Sequence, residues 1–138
     1  MAVLQYGTAV NNARLNAIET QIGTAPMIEI RVGSMPANCQ AVATGALLVA
    51  QALPSDWMSP ASGGVMTKNG TWALTALTNI ATSNAGYFRI NLGSPSDCQI
   101  QGDITATGGG GAMTLDNISI AASQAVTVNT FTLTAGNA

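Results

Sequence analysis

Side chains that could carry out chemistry are few in this chain. Its 138 residues include no histidine, four basic residues and six carboxylates. Without histidine, neither a Ser-His-Asp triad nor a Cys-His pair can form. A serine–lysine mechanism would depend on Lys68, the one lysine, which stands beside a predicted turn where a solvated charge is the usual role. The carboxylates show no local pairing pattern, so we expect that the protein is not an enzyme.

The two cysteines, Cys39 and Cys98, are too few for a structural zinc site, which takes four Cys or His ligands. We therefore expect no metal and no cofactor. Buried, reduced thiols are the first expectation for a cytoplasmic product. A long-range disulfide is the alternative, and it requires a fold that brings the two residues together. The glycine tract 108–111 is not followed by Gly-Lys-Ser/Thr, so a flexible link between strands is expected rather than a phosphate loop.

Low charge is the main feature of the composition. Charged residues make up 7% of the chain, against about 25% in a typical soluble domain, and the mean hydropathy is +0.30. Charge keeps soluble proteins apart, so we expect a surface that is largely covered in the working state. Partners would be further copies of the chain, most simply in a trimer, or other proteins.

Nucleic acid and membranes are not expected partners. The four basic residues are scattered, whereas a nucleic-acid binder needs them clustered. The longest apolar run, residues 46–53, is interrupted by Gln51 and falls short of the roughly 18 residues that a membrane span needs. The N-terminus has no basic segment before an apolar stretch, so no signal peptide is expected and assembly would take place in a cytoplasm.

A helix is the first predicted element. Thr8 is the expected N-cap and Gly23 the C-terminal cap of the segment AVNNARLNAIETQI. Leu15, Ile18 and Ile22 fall at i, i+3 and i+7 and form one apolar stripe. The helix and the arm before it, residues 1–23, are expected to contact another subunit rather than to close the core of the β-rich domain, residues 24–138.

After the helix, the apolar period changes from 3.6 to 2. The sequence ALLVAQAL fits either a strand or a short helix, and Asn69-Gly70 predicts a hairpin turn between GVMTK and TWALTAL. A bulge is expected near Asn129-Thr130 in AVTVNTFTLTA, where the apolar parity slips. Further predicted strands are MIEIRV, GYFRINL, CQIQGDITAT and MTLDNISI.

Seven or so short strands at this spacing predict an all-β fold, either an antiparallel β-sandwich or a jelly-roll- or barrel-like domain, with one N-terminal α-helix. In GYFRINL, Phe88 and Ile90 are predicted to face inward with Leu92, while Tyr87, Arg89 and Asn91 face outward. Phe131 in the last strand is expected in the core.

The candidate interface combines the arm, one helix face and one loop. Large apolar side chains in a terminal arm suggest docking, and alanines spaced by four make a ridge that another surface can approach closely. Trp57 looks exposed in the long loop PSDWMSPASGG. The candidate interface residues are Val3, Leu4, Tyr6, Ala9, Ala13, Ala17 and Trp57.

The C-terminal third, CQIQGDITATGGGGAMTLDNISIAASQAVTVNTFTLTAGNA, resembles a family of small virion proteins of tailed bacteriophages. The segments YGTAVNNARLNAIETQIGTAP and ALPSDWMSPASGG are similar to the same family, so the resemblance spans most of the chain. It implies a location in the virion, after assembly in the host bacterial cytoplasm, and it implies no catalytic residues.

The expected function is that of a capsid decoration (cement) protein, which binds the major capsid protein and stabilises the head shell. One alternative is a tail component, either in the tube or associated with a fibre. Another is a receptor- or carbohydrate-binding module, in which Trp57, Trp72 and Tyr87 would form the stacking platform.

Overall fold

A computed structural model describes residues 3–93 and 97–136, so the first two residues of the predicted arm lie outside the described residues. The described chain is mostly β, with one helix near its N-terminus, as predicted. The helix is α1 (Thr8–Ile22), and the strands are β1 (Met27–Val32), β2 (Leu47–Ala52), β3 (Val65–Thr67), β4 (Trp72–Thr75), β5 (Ser83–Asn91), β6 (Cys98–Ala106), β7 (Met113–Leu115), β8 (Ser119–Ile120) and β9 (Ala125–Thr134).

Helix α1 packs on the strands of its own domain. Leu15 and Ile22 are buried in the core and Ile18 packs against it, so the predicted apolar stripe is confirmed. The helix was expected to contact another subunit rather than to close the core of the domain. That expectation is wrong for the face of α1 that carries Leu15, Ile18 and Ile22. The N-cap is Gly7 rather than Thr8, with no side-chain capping bond, whereas Gly23 ends the helix as predicted.

The strands form one mixed sheet in the order β2-β1-β5-β6-β7-β9-β3, with β4 also paired to β9 and β8 to β5. The pairs are antiparallel except β6 and β7, which run parallel with Ile104 opposite Met113. A purely antiparallel sheet was therefore the wrong expectation. The pairing ladder is open, because no strand pairing joins β2 to β3 or β4 among the described residues.

The glycine tract makes this parallel pair possible. Parallel neighbours usually need a connection of a dozen or more residues, and here residues 107–112 suffice. A Cβ on Gly109 would lie 2.6 Å from the Cβ of Thr105, and Gly111 donates its N–H to the Thr105 hydroxyl at 3.0 Å. The tract therefore packs tightly on β6, and the expectation of a flexible link is wrong.

The predicted hairpin at Asn69-Gly70 is not formed. Strands β3 and β4 both pair with β9, with Thr67 opposite Thr132 and Trp72 opposite Val128. The four residues 68–71 thus lie opposite the three residues 129–131. The extra residue forms a bulge between β3 and β4. Gly70 has a φ of +64°, a conformation that suits a bulge as well as a hairpin turn.

Strand β9 is confirmed, as is its bulge. Thr114 of β7 pairs with Thr130 and Leu115 with Val128, so the register shifts at Asn129. The ambiguous segment ALLVAQAL contains a strand, β2.

Aromatic side chains from distant strands meet in the core. The Phe131 ring lies 5.4 Å from the Trp72 ring and 5.5 Å from the Phe88 ring, the latter in a T-shaped contact. Trp57 is fully buried 6.2 Å from Trp72, and its indole N–H donates to the Gly23 carbonyl at 3.0 Å. Trp57 is therefore not a surface residue, because its loop folds inward beneath the C-terminal end of α1.

The sheet curls until its edges come together. Gln51 on β2 donates its side-chain N–H to the Ala73 carbonyl and accepts from the Thr75 N–H, both at 3.0 Å. One backbone bond, from the Leu77 N–H to the Leu48 carbonyl at 2.9 Å, adds to this contact. A side chain thus bridges the gap that strand pairing leaves open.

Replacing Phe131 with Ala is expected to lower the free energy of unfolding by about 3–5 kcal/mol, because the ring is buried against two other rings. The control is Thr132→Ala, at the exposed neighbouring position. Denaturant midpoints of both variants measure the difference. Equal midpoints would show that the aromatic contacts do not hold the sheet together.

Candidate interaction surface

The second face of the central strands is covered, which periodicity alone did not reveal. Tyr87, Arg89 and Asn91 lie opposite the core side of β5, as their parity predicted, yet all three are buried. Their expected exposure is therefore wrong. Leu92, expected inward, lies just beyond the end of β5 and is 41% exposed. The cover over the second face is the loop of residues 33–46, which contains no charged residue.

Side chains of the sheet hold this loop from below. The Tyr87 hydroxyl donates to the Thr44 carbonyl and accepts the Thr44 N–H, the latter at 3.0 Å. Arg89 donates from Nη2 to the Ala41 carbonyl at 2.9 Å, and Gln101 donates to the Pro36 carbonyl at 2.8 Å. These bonds spread over much of the loop and attach it to the sheet.

A disulfide adds a covalent link. Cys39 in the loop is joined to Cys98 at the start of β6, with 5.2 Å between the Cα atoms. A shift of register between Ile90 and Asn91 places Cys98 opposite Asn91, and thus on the loop side of the sheet. Reduced thiols were the wrong expectation. The link spans 59 residues, a separation for which the chain-entropy estimate is about 4 kcal/mol of stabilisation.

Buried charges lie under the loop. Glu29 is fully buried and forms an ion pair with Arg31, at 3.0 Å between Oε2 and Nε. Arg89 is the cross-strand neighbour of Glu29. Glu29 Oε1, Arg89 Nε and both amide atoms of Asn91 are buried without a protein partner. Burying such groups is costly, so the cover over them must be held by other interactions.

Among residues 3–93 and 97–136, no three Cys, Asp or Glu side chains are grouped to hold a metal ion. Lys68 donates its ammonium to the Gly70 carbonyl at 2.7 Å, within the bulge that follows β3. No helix in the described part of the chain is long and apolar enough to cross a membrane.

The arm presents the largest exposed apolar side chains near the helix. Val3 is 71% exposed, Leu4 61% and Tyr6 41%. Val10, in the first turns of α1, is 47% exposed and was missed, because its neighbours gave no apolar period. The Arg14 guanidinium lies 5.0 Å from the centre of the Tyr6 ring, so the arm contacts the helix that it precedes.

The alanine ridge lies on the outer side of the same helix, where Ala9, Ala13 and Ala17 are exposed. The other side is fixed to the domain by Asn12 and Asn16, whose side chains accept the N–H groups of Gly64 at 2.8 Å and Ala61 at 3.0 Å. We call the exposed set the arm–helix surface, which comprises Val3, Leu4, Tyr6, Ala9, Val10, Ala13 and Ala17.

A shallow groove adjoins this surface between α1 and the end of β9. Its volume is about 450 Å³, and it is lined by Arg14, Leu15, Ala17, Ile18, Thr134 and Ala135. Six of the seven sequence-predicted interface residues are exposed on the arm and on α1, and Trp57 lies apart in the core. The platform residues Trp57, Trp72 and Tyr87 are all fully buried, so they cannot stack a sugar at the surface.

Comparisons of the chain with protein-family models, with curated proteins and with solved structures found no match.

Two leucines give a matched test of which parts of the N-terminal segment belong to the domain. Leu15→Ala is expected to lower the unfolding free energy by about 2–5 kcal/mol, because Leu15 is buried. Leu4→Ala is expected to change it by less than about 0.5 kcal/mol, because Leu4 is exposed. Chemical denaturation measures both values, and a large loss in Leu4→Ala would place the arm in the domain's own core.

Proposed function

We propose that this chain is a structural protein of a tailed-bacteriophage virion, a decoration (cement) protein that binds the capsid and stabilises the head shell. The observation that carries the proposal is the arm–helix surface, where apolar and small uncharged side chains are exposed together beside a well-packed core. Large exposed apolar patches are typical of interaction sites.

The fixed parts of the domain suit this role. The core holds the inner side of α1, and the loop of residues 33–46 with its disulfide covers the other face of the sheet, so little order is lost when the outer side of α1 binds. Each bound copy would gain about 25 cal/mol per Å² of apolar area buried, and many copies on one shell would add their contributions.

We further propose a homo-oligomer, most simply a trimer, in which the arm of one copy contacts the next. Association would cover Val3, Leu4 and Tyr6, which the chain's own domain leaves exposed.

For the fold itself, we propose a barrel-like arrangement of the open sheet rather than a sandwich or a jelly roll. The contact between β2 and β4 through Gln51 supports this arrangement.

A tail component, in the tube or beside a fibre, is the second candidate, since the same surface would serve subunit packing there. The carbohydrate- or receptor-binding alternative has less support, because its three platform aromatics are buried.

Deleting residues 1–7 is the direct test. Binding to particles that lack the protein, and the oligomer mass from light scattering, are both expected to fall, because three exposed apolar side chains are removed. The circular dichroism of the β domain is expected to stay unchanged. Leu92→Ser, at an exposed position outside the arm–helix surface, is the control and should bind as the parent does.

Two results would contradict the proposal. Undiminished particle binding by the deletion variant would remove the arm from the interface, and a loss of the β signal would show that the arm serves the fold instead. Electron microscopy of particles labelled on this protein separates head from tail: label confined to the tail would favour the second candidate over a decoration protein.

A further inference from the structure

We propose that the Cys39–Cys98 disulfide is a redox latch on the loop of residues 33–46. Oxidised, it holds the loop closed over the buried charges of β1 and β5. Reduced, it frees residues 34–43, while the end of the loop stays attached to the sheet. This inference rests on the loop and its contacts alone and does not depend on the proposed function.

The loop is attached unequally along its length. Its C-terminal end is held by bonds close to one another: Val32 N–H to the Ala46 carbonyl at 3.0 Å, Arg31 Nη1 to the Gly45 carbonyl at 3.1 Å, and both Tyr87 bonds to Thr44. The backbone bond extends the β1 edge, so this end is part of the sheet structure. The latch is not needed there.

Within residues 3–93 and 97–136, the hydrogen bonds that attach residues 34–43 to the sheet come from the ends of long side chains, and the disulfide adds a covalent link. Arg89 donates to the carbonyls of Asn38, at 3.3 Å, and Ala41, at 2.9 Å, and Gln101 donates to that of Pro36. The loop's own bonding here is a local turn, in which Ala41 N–H donates to the Asn38 carbonyl and side chain. Each of these bonds can be exchanged for water when the loop lifts.

The layer beneath the loop favours opening once the covalent link is gone. Closure leaves Arg89 Nε and Gln101 Oε1 buried without a protein partner, on the two side chains that bond residues 34–43. A guanidinium nitrogen is among the groups that lose most on leaving water. Lifting residues 34–43 would let solvent reach them, so hydration opposes closure and the disulfide maintains it.

The cysteines are placed for exchange with small reagents, since both are partly exposed. A low-molecular-weight disulfide supplies the oxidising equivalents. One cysteine thiolate attacks it, forms a mixed disulfide and releases one small thiolate. The other cysteine thiolate then attacks the cysteine sulfur and releases the second. The two protons lost by the cysteines end on the two small thiols, so one disulfide bond is broken and one is formed.

The latch controls what the loop presents to other molecules. Met35 is 42% exposed and Val42 85%, and both lie in the part of the loop that the disulfide holds. In an oxidising medium these apolar side chains are fixed in position, and in a reducing medium they are not. A reducing cytoplasm would thus keep this part of the surface open, and transfer to an oxidising medium would set it.

Amide hydrogen exchange of the full chain tests the latch, in glutathione disulfide and then in excess dithiothreitol. Two loop amides serve as reporters: Ala41, inside the freed segment, and Thr44, which is bonded to Tyr87. Reduction is expected to speed exchange at Ala41 by about tenfold or more, with Thr44 and the β5 amides changing by less than about twofold. The double variant Cys39→Ser/Cys98→Ser should match the reduced parent in both media.

Three outcomes would overturn the proposal. Unchanged exchange at Ala41 on reduction would show that the other contacts hold the loop by themselves. A parallel rise at Ala41, Thr44 and β5 would make the disulfide a staple of the whole fold. Failure of glutathione disulfide to remove two hydrogen masses from the reduced chain would show that the thiols do not couple. Because the reduced parent is itself measured, the test holds even if the double variant does not fold.

Discussion

Phe131 contacts the ring of Trp72 on β4 and the ring of Phe88 on β5, which lie in different parts of one sheet. The contact with Phe88 requires the sheet to curl, because in a flat sheet β6 and β7 would hold β5 and β9 apart. The same curl brings β2 beside β4, and α1 covers the core with Leu15 and Ile22. The remaining elements are arranged around this aromatic cluster.

Curling has a second effect, on the opposite face of β5. That face carries Tyr87, Arg89 and Asn91, and beside them Glu29, which are ordinarily solvent-facing residue types. Here the uncharged loop of residues 33–46 covers them, held by hydrogen bonds and the disulfide. The domain therefore has an apolar interior and a separate polar layer. Two of its few charged side chains, Glu29 and Arg89, are buried in this layer. The outer surface is therefore even poorer in charge than the composition suggests.

Local patterns predicted local structure well. The helix stripe of Leu15 and Ile22, the strand β9 and its bulge at Asn129 all follow from periodicity, because side-chain spacing is a property of the chain alone. The exposure of Tyr87 and Trp57 was predicted wrongly, because neither strand parity nor a position in a loop shows what covers a residue; only the tertiary fold determines that. Asn69-Gly70 signals a left-handed backbone, which a hairpin and a bulge share, and the partner β9 decided between them. The disulfide requires the bulge in β6 that places Cys98 on the loop side of the sheet, and no sequence pattern predicted that bulge.

Gln51 spans the gap between β2 and β4 with an amide that imitates a peptide group. On the other side, residues 57–59 pair with the backbone around β3, where Ser59 N–H donates to the Thr67 carbonyl at 2.9 Å. Among the described residues, both borders of the sheet are thus partly covered. Free rows of N–H and carbonyl groups are the templates from which fibrils and β-augmented complexes grow. Partial cover of both borders lowers the amount of backbone available for such pairing, and this favours association through side chains in a chain of low charge.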